Sequence, residues 1–468
     1  MTTISTARSV RLTRAVLATC IVSATATAAA AQDVAARYAP DADRIITAAL
    51  ADSSGYERLG ELVDRFGPRF SGTPQLERAI DWILLEMSRD GLQNIRGERV
   101  MVPRWVRGSE SATLVSPRRA TLHMLGLGGS IGTPPAGITA PVLVVRSFDE
   151  LRERAVLARG KIVLFDVPFT TYGETVRYRS NGASEAARVG AVGVLIRSVA
   201  SASLQTPHTG ALGYDTTVRR IPAAALSVED AAMLARMHDR GERVVVSLRM
   251  NARTFADVPS RNVVAELVGR ENPDEIVVVG GHIDSWDVGQ GAVDDAGGSV
   301  AAWEALRLLQ RLGLRPRRTI RVVLWTNEEN GLNGATSYRD RHAAALDRHV
   351  LAIESDGGVF APQGFSVAGS DATVAAITEI ASLLQRIGAS SVRRGGAGAD
   401  VGPLVERGVP GAGLIVDGAE YFWYHHSAAD TFDKIDAAEF TQCVAALAVL
   451  AYVAAEMPEP IPRGAATN

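Results

Sequence analysis

The stretch IVVVGGHIDSWDVGQGAVDD, residues 276–295, places a loop rich in metal-binding side chains directly after a run of apolar residues. The run at 276–279 has the length and the β-branched composition of a buried strand. The loop contains His282 and four aspartates, at positions 284, 287, 294 and 295. Loops at the carboxyl ends of parallel strands are where α/β enzymes place their chemistry. Histidine and aspartate together suit a divalent metal, zinc first, so the stretch predicts a metal site at a sheet edge.

The sequence around this stretch alternates strands with helices. A helix is predicted over 296–312, because Val300, Trp303, Leu306 and Leu309 recur at helical spacing. Strands are predicted at five places, namely 262–267, 275–279, 319–325, 350–353 and 413–416. This alternation is typical of an α/β fold in which helices cover a mixed, largely parallel sheet.

Three other predicted strands are also followed by acidic or histidine side chains. Glu328 and Glu329 follow the strand at 319–325, Asp356 follows the strand at 350–353, and His426 lies beyond the strand at 413–416. The carboxyl ends of parallel strands meet at one edge of a sheet. That many carboxylates close together would repel one another unless cations neutralised them.

The number of candidate ligands suggests two metals. One metal could take His282 and Asp356, a second could take Glu329 and His426, and Asp294 could bridge them. Each metal would then have three protein ligands and one open position, which is the pattern of catalytic zinc.

The rest of the chain suggests an insertion in the catalytic domain. Residues 40–92 have helical patterns, 93–125 have strand patterns, and a loop rich in Gly and Pro follows. Short strands and helices without any ligand cluster then continue to about residue 250. We therefore expect a catalytic domain formed by 32–126 and 253–468, with an inserted α+β domain at 127–252.

Residues 1–31 have the features of an export signal. Arg8, Arg11 and Arg14 precede an apolar segment at 15–26, and alanines at 29–31 offer a cleavage site. The alternative is a short membrane anchor, but the apolar segment is short and rich in Ala and Thr. We expect an exported protein, periplasmic or extracellular, in which no other segment approaches transmembrane length. Cys443 is then the only cysteine, and its apolar surroundings predict a buried structural thiol.

Composition excludes several other classes of function. The formal net charge of the 468-residue chain is -3, which gives no sign of nucleic-acid binding. Lys161 and Lys434 are the only lysines, and no phosphate-binding P-loop motif occurs. The segment 289–294 lacks the third glycine of a dinucleotide fingerprint, and 364–368 lacks the last glycine of a nucleophile elbow.

Several blocks of the sequence closely resemble the co-catalytic two-zinc exopeptidases, a family that includes aminopeptidases and carboxypeptidases. The blocks are HIDSWDVGQG at 282–291, ESD at 354–356 and HHS at 425–427 with Asp430 and Thr431. The resemblance extends to the insert, where RYR at 177–179 and TPHTG at 206–210 look like blocks of a protease-associated domain. It implies the zinc-exopeptidase fold with such a domain inserted.

The resemblance also implies a role for individual side chains. Two Zn²⁺ ions per chain would be held, one by His282 and Asp356 and the other by Glu329 and His426, with Asp294 bridging. Glu328 matches the general base, and Asp284 matches the carboxylate that orients the first histidine. The peptide bond between residues 294 and 295 is expected to be cis. His425 occupies the place of a tyrosine in glutamate-selective relatives, so it is a candidate for contact with substrate, and a glutamate preference is not expected.

These features predict an exported zinc-dependent exopeptidase of carboxypeptidase or dipeptidase type that hydrolyses dipeptides or short peptides with metal-activated water. Two alternatives remain open. The same site could serve an aminopeptidase, or the chain could be a non-catalytic relative that binds proteins through its insert. No nucleic-acid partner is expected, nor a membrane partner after the signal is removed. The resemblance implies a homodimer.

Overall fold

Two eight-stranded sheets organise the protein in a computed structural model, which describes residues 34–202 and 204–463. The export signal predicted for 1–31 lies outside the described residues. The strands are β1 (Gln93–Val106), β2 (Glu110–Ser116), β3 (Ala120–Leu122), β4 (Met124–Gly126), β5 (Ile138–Val145), β6 (Ile162–Phe165), β7 (Gly193–Arg197), β8 (Ala223–Leu226), β9 (Val245–Met250), β10 (Arg253–Leu267), β11 (Asn272–His282), β12 (Arg318–Trp325), β13 (His349–Glu354), β14 (Pro362–Ala368), β15 (Ser391–Arg394) and β16 (Gly411–Val416).

Helices flank both sheets. They are α1 (34–50), α2 (Ser54–Phe66), α3 (Pro74–Arg89), α4 (Phe148–Glu153), α5 (Ala155–Ala158), α6 (Tyr172–Arg188), α7 (Val228–Asp239), α8 (Gly297–Arg311), α9 (Asn333–Arg341), α10 (Asp371–Ala381), α11 (Gly402–Val405), α12 (Tyr421–Tyr424) and α13 (Ala437–Glu456). Short 3₁₀ segments cover Ala343–Arg348, Ser382–Ile387 and Phe432–Lys434, and a π-helical turn covers Ala292–Ala296.

The first sheet has the strand order β1-β10-β12-β11-β13-β16-β14-β15. Its four central strands, β12, β11, β13 and β16, are mutually parallel. Strands β1 and β10 pair antiparallel with their neighbours, and β14 pairs antiparallel with β16 but parallel with β15. This confirms the mixed α/β sheet that the sequence predicts. Every residue of β12 and β13 is buried, as expected for strands covered on both faces.

Helices α8 and α13 lie against one face of this sheet and form its core. Trp303 and Leu306 of α8 are among the predicted apolar positions, and both are fully buried. Helix α13 corrects the prediction about transmembrane length, since its 20 residues are long and apolar enough to span a bilayer. However, 78% of its apolar window is buried inside the protein, so it serves as a core helix.

The second sheet has the order β3-β2-β9-β5-β6-β7-β8-β4, with β5 to β8 parallel. Strands β2 to β4, within 110–126, belong to it although they precede the boundary at 127 that we set from loop composition. Their short apolar alternation does not reveal which sheet they join. We therefore propose that the inserted unit covers 110–252, and we refer to these residues below as the insert.

The register of the first sheet aligns the strand ends that carry the candidate ligands. His282 at the end of β11 is level with Trp325 at the end of β12. Gly280 is level with Glu354 of β13, which is in turn level with Gly413 of β16. Since all four strands run in the same direction, the loops that follow them emerge at one edge.

Candidate metal centre

Asp294 lies between two histidines at this edge. Its Oδ1 is 3.2 Å from Nε2 of His282, and its Oδ2 is 3.2 Å from Nε2 of His426. The peptide bond from Asp294 to Asp295 is cis, which confirms that expectation. All these side chains are buried, so one carboxylate faces two imidazole nitrogens away from solvent.

Asp356 and Glu329 complete the two sides of the cluster. Oδ1 of Asp356 is 3.3 Å from Nε2 of His282, and Oε2 of Glu329 is 2.9 Å from Nε2 of His426. The five side chains that the sequence predicts as ligands are thus brought together around Asp294. They come from the ends of three parallel strands and from the loop that follows α12.

Asp295 and His425, which neighbour predicted ligands in the sequence, also lie within metal-binding distance of the cluster. Among the described residues, three sets have ligand atoms within 4.8 Å of one another: Asp294 with His425 and His426, His282 with Asp295 and Asp356, and His282 with Asp294 and Glu329. The carboxylate of Asp295 is already used, because it accepts the backbone N–H groups of His282 and Gly298 at 3.0 and 3.1 Å. Asp295 therefore fixes the end of β11 and the start of α8.

The electrostatics of the cluster suit a cation. Burial raises the pKa of Glu329 well above its usual range, and the nearby carboxylate of Asp294 adds to the effect. Burial opposes ionisation of Asp294 too, but the hydrogen bond from His282 and the nearby ring of His426 outweigh it and hold the pKa of Asp294 well below its usual range. Carboxylates crowded without solvent need positive charge beside them. Two imidazoles and three carboxylates form a donor set that fits zinc.

His282 contacts Asp284, but through an atom other than the expected one. Nδ1 of His282 donates to the backbone carbonyl of Asp284 at 2.9 Å, whereas the nearer carboxylate oxygen is 3.9 Å away. The Asp284 carboxylate instead accepts the backbone N–H of Glu328 and the hydroxyl of Ser71, both at 3.1 Å. It thus connects the β11 loop to the loop that follows β12. The expected carboxylate–histidine contact is corrected to a carbonyl–histidine contact.

A backbone hydrogen bond to Asp284 holds Glu328 beside the metal ligands. Its N–H donates to Oδ1 of Asp284, and its side chain is only partly buried. Burial raises the pKa of Glu328 to about 8 in the absence of metal, and the charges of Asp356 and Asp294 contribute. Its carboxylate makes no hydrogen bond to any of the described residues, so it is free to exchange a proton.

His425 faces the cluster and not the solvent. Its ring stacks on that of His426 with centroids 3.5 Å apart, and its Nε2 lies 3.6 Å from Oδ2 of Asp294. Burial, together with His426, lowers the pKa of His425 well below its usual range. Its Nδ1 is buried without a hydrogen-bond partner among the described residues. His425 is thus a neutral ring beside the ligands.

Asp430 is a positioning residue to which the sequence analysis assigned no role. Its Oδ1 accepts the backbone N–H groups of Ala292 and Val293 at 2.8 and 2.7 Å, and its Oδ2 accepts that of Asp294 at 3.2 Å. These three bonds fix the turn that presents Asp294. The sequence signal for Asp430 was its proximity to the HHS block. Asp294, whose backbone N–H it accepts, lies 136 residues away.

Arg179 from the insert also reaches the centre. Its Nη2 donates to the hydroxyl of Tyr172 at 2.8 Å, and its Nη1 lies 3.3 Å from Nδ1 of His426 and 3.4 Å from the carbonyl of Thr209. Arg179 is 6% exposed, its Nε has no hydrogen-bond partner, and no carboxylate pairs with it among the described residues. It is therefore a buried cation without a counter-ion.

A cavity of about 510 Å³ opens beside the centre. The residues that line it include Glu354, Asp356, Ser366, Arg393 and Tyr421. Glu354 is fixed by the backbone N–H groups of Ala399 and Val401 at 2.8 and 2.7 Å, so it supports the wall more than it offers a ligand. The cavity is large enough for the side chain of a peptide residue.

Comparison with known proteins gives consistent results. The model of peptidase family M28 matches residues 262–451. Carboxypeptidase Q from Mus musculus is 50% identical over 408 residues, which is 87% of this chain and 87% of that protein. Carboxypeptidase Q from Homo sapiens is 48% identical over 413 residues, 88% of each chain.

Solved structures resemble the fold. A peptidase M28 precursor from Shewanella amazonensis SB2B superposes with a TM-score of 0.88 at 35% identity, covering 91% of this chain and 98% of the other. A zinc aminopeptidase from Bacillus subtilis superposes with a TM-score of 0.67 at 23% identity, covering 87% and 96%. The second likeness concerns the fold alone.

Proposed function

The chain belongs to peptidase family M28, and from that premise we propose that it is a zinc-dependent exopeptidase of carboxypeptidase or dipeptidase type. The observation that carries the proposal is the position of Asp294, whose two oxygens face His282 on one side and His426 on the other. A carboxylate in this position suits a bridge between two metals. The substrate class that we propose is a dipeptide or short peptide, and the name of the carboxypeptidase Q relatives supports the carboxypeptidase type.

We assign two zinc ions to the cluster. His282 and Asp356 would hold one, Glu329 and His426 would hold the other, and Asp294 would contact both. Bound zinc supplies Lewis acidity, which lowers the pKa of a water molecule to roughly 7 and polarises the peptide carbonyl. The contacts among these five residues and the unpartnered Oδ2 of Asp294 support the assignment.

Glu328 acts as the general base. Its carboxylate takes a proton from the attacking water and returns it to the leaving amine. The raised pKa of Glu328 comes chiefly from burial, and the positive charge of bound metal would bring it down toward the ionised form at neutral pH. Asp284 keeps Glu328 in place through the backbone bond described above.

Arg179 favours carboxypeptidase over aminopeptidase activity. A buried guanidinium that lacks a carboxylate partner is costly unless a ligand supplies the negative charge. The free C-terminal carboxylate of a peptide has that charge and the planar shape that a guanidinium binds. Because Arg179 lies beside His426, a carboxylate held there would set the last peptide bond over the centre.

A panel of dipeptides with zinc quantification tests the proposal. Free and N-acetylated dipeptides should be hydrolysed rapidly, C-amidated ones only slowly, and the protein should bind two zinc ions per chain. Hydrolysis of C-amidated but not N-acetylated dipeptides would establish the aminopeptidase alternative. No zinc and no hydrolysis of any peptide would establish the non-catalytic alternative.

Three further proposals concern the whole chain. We propose that residues 1–31 direct export to the periplasm or the medium, as their basic and apolar composition favours. The sequence that N-terminal sequencing of the exported protein reads should then begin at about Gln32.

We propose that the insert is a protease-associated domain, because the blocks at 177–179 and 206–210 resemble blocks of such domains. The homodimer that the resemblance implies stays a prediction, which sedimentation equilibrium would test.

A further inference from the structure

The insert holds the segment that carries His426. Nδ1 of His208 lies 2.6 Å from the backbone carbonyl of His425, and the backbone N–H of Thr209 donates to the carbonyl of His426 at 2.9 Å. A single antiparallel bridge pairs His208 with Ser427. Two successive carbonyls of the HHS block are therefore bound by two successive residues of the TPHTG block.

His208 is itself firmly placed. Its backbone N–H donates to Oγ of Ser198 at 2.8 Å, and that hydroxyl donates to the carbonyl of Leu226 at 2.6 Å. Ser198 directly follows β7 and Leu226 ends β8, so His208 is anchored to the second sheet. The His208 ring is 2% exposed. Because its partner is a carbonyl, Nδ1 must carry the hydrogen of this bond.

His426 needs such support because its backbone is strained. Its φ is +60°, a conformation that residues with a Cβ rarely adopt. Conformations of this kind are strained and persist only where the surroundings enforce them. The carbonyls on both sides of the strained φ,ψ pair are the two that the insert binds. The insert therefore supplies the contacts that keep the ring of His426 directed at Asp294 and Glu329.

We infer that His208 is a positioning residue for the metal centre: its hydrogen bond to the His425 carbonyl keeps His426 in the conformation that binds the second zinc. The insert is then part of the catalytic machinery, although none of its residues is assigned as a ligand. This inference rests on the proposed function, because it assumes that His426 binds zinc.

The alternative for His208 is a purely structural role. Its imidazole would merely fill space between the insert and the catalytic domain, and its loss would lower stability without affecting metal binding. The two roles differ in what a substitution changes. A filler affects the free energy of unfolding alone, whereas a positioning residue also affects zinc affinity at one of two sites.

The pair His208→Asn and His208→Leu separates the two roles. Asn and Leu have nearly the same shape, but only Asn can donate to the carbonyl of His425. A matched control is His349→Leu, because His349 is fully buried and its Nδ1 also lies 3.0 Å from a backbone carbonyl, that of Ala345. His349 begins β13, so it lies at the opposite end of that strand from Asp356 and the metal centre. Zinc per chain would be measured at several free zinc concentrations set by a chelator, together with the absorption of the cobalt-substituted protein and thermal unfolding.

We expect His208→Leu to weaken one of the two zinc sites about 10- to 100-fold, to change the cobalt spectrum and to lower kcat more than it raises KM. His208→Asn should keep most of the wild-type affinity, and His349→Leu should lose stability only. The inference is overturned if His208→Leu binds both zinc ions as the wild type does, or if the Asn and Leu variants are equally impaired. Failure of the proposed function looks different, since the wild-type chain itself would then bind no zinc.

Discussion

Arg107 and Asp287 form a bidentate ion pair that ties the turn between β1 and the insert to the β11 loop. Nε of Arg107 donates to Oδ2 of Asp287 at 2.9 Å, and Nη2 donates to Oδ1. Arg107 also bonds the carbonyl of Gly126 and the hydroxyl of Thr209. This pairing explains why Asp287, an acid in the midst of candidate ligands, does not join the metal cluster.

The pair should be worth a measurable coupling free energy. Arg107 and Asp287 have side chains 10% and 25% exposed, so their charges are only partly screened. In a double-mutant cycle with Arg107→Met and Asp287→Asn, we expect a coupling of about 1–3 kcal/mol in urea unfolding. Additive effects of the two substitutions would show that the bidentate pair contributes nothing to folding. The coupling free energy should decrease little at high salt, because the pair is largely shielded from counter-ions.

Glu328→Gln should abolish turnover and leave metal binding intact. Gln has the shape of Glu but cannot accept the proton of the attacking water, and Glu328 is not among the assigned ligands. We expect kcat to fall about 10²- to 10⁴-fold, with zinc content unchanged by elemental analysis. Exposed Glu61, in an i,i+4 ion pair on α2, offers a control in Glu61→Gln with wild-type kinetics. A near-wild-type rate for Glu328→Gln would remove the base assignment.

Asp430→Asn should weaken metal binding from a distance. The carboxylate of Asp430 accepts three backbone N–H groups, and an amide has only one oxygen to offer them. The NH₂ group of the new side chain would face a backbone N–H, and two donors repel each other. The turn at 292–294 should therefore shift, and the position of Asp294 should change. We expect zinc affinity to fall about 10- to 100-fold at both sites, because Asp294 is the shared residue. Loss at one site alone would argue against the bridge.

Arg179 should determine the preference for a free C-terminus. We expect Arg179→Met to lower kcat/KM for free dipeptides by about 10- to 100-fold, as loss of a charged hydrogen bond would, and to leave the slow hydrolysis of C-amidated dipeptides unchanged. Arg179→Lys should restore part of the preference, since it keeps the charge but not the planar fork. An equal loss for both substrates would mean that Arg179 supports His426 only and does not bind the carboxylate.

Much of the fold and the ligand cluster could be predicted from the sequence, because both follow local patterns. Apolar runs such as 276–279 mark buried strands, and parallel strands bring their carboxyl ends to one edge. That is why His282, Glu329 and Asp356 meet although they are far apart in the chain. The acids that lie directly after such strands are therefore the easiest to find.

The contacts between the insert and the centre follow no such pattern. Arg179 and His426 are 247 residues apart, and His208 and His425 are 217 apart, so no spacing links them. The assignment of β2 to the second sheet depends on a partner, β9, that lies on the far side of the insert. The atom by which Asp284 contacts His282 depends on side-chain rotation, which residue types alone do not determine.

His349 should make the protein less stable in acid. Burial is the main cause that lowers the pKa of His349 to about 4, from 6.5 for an exposed imidazole, and Arg321 adds to it. As the pH falls below 6.5, the unfolded chain therefore binds this proton before the folded chain does. The stability that His349 contributes is fully present above about pH 6.5 and is lost as the pH falls toward 4, by up to about 3 kcal/mol.

The variant His349→Gln isolates this contribution. Gln keeps an acceptor for the hydroxyl of Tyr338 but does not titrate, so the fall in unfolding free energy between pH 6.5 and 4.5 should be smaller than in the wild type. Urea unfolding of the two proteins across that range gives the difference directly, since other titrating groups affect both alike. Parallel pH profiles would contradict this prediction, because they would mean that His349 takes up its proton in the folded chain as readily as in the unfolded one. Both ring nitrogens would then donate, one to the carbonyl of Ala345 and the other to the hydroxyl of Tyr338.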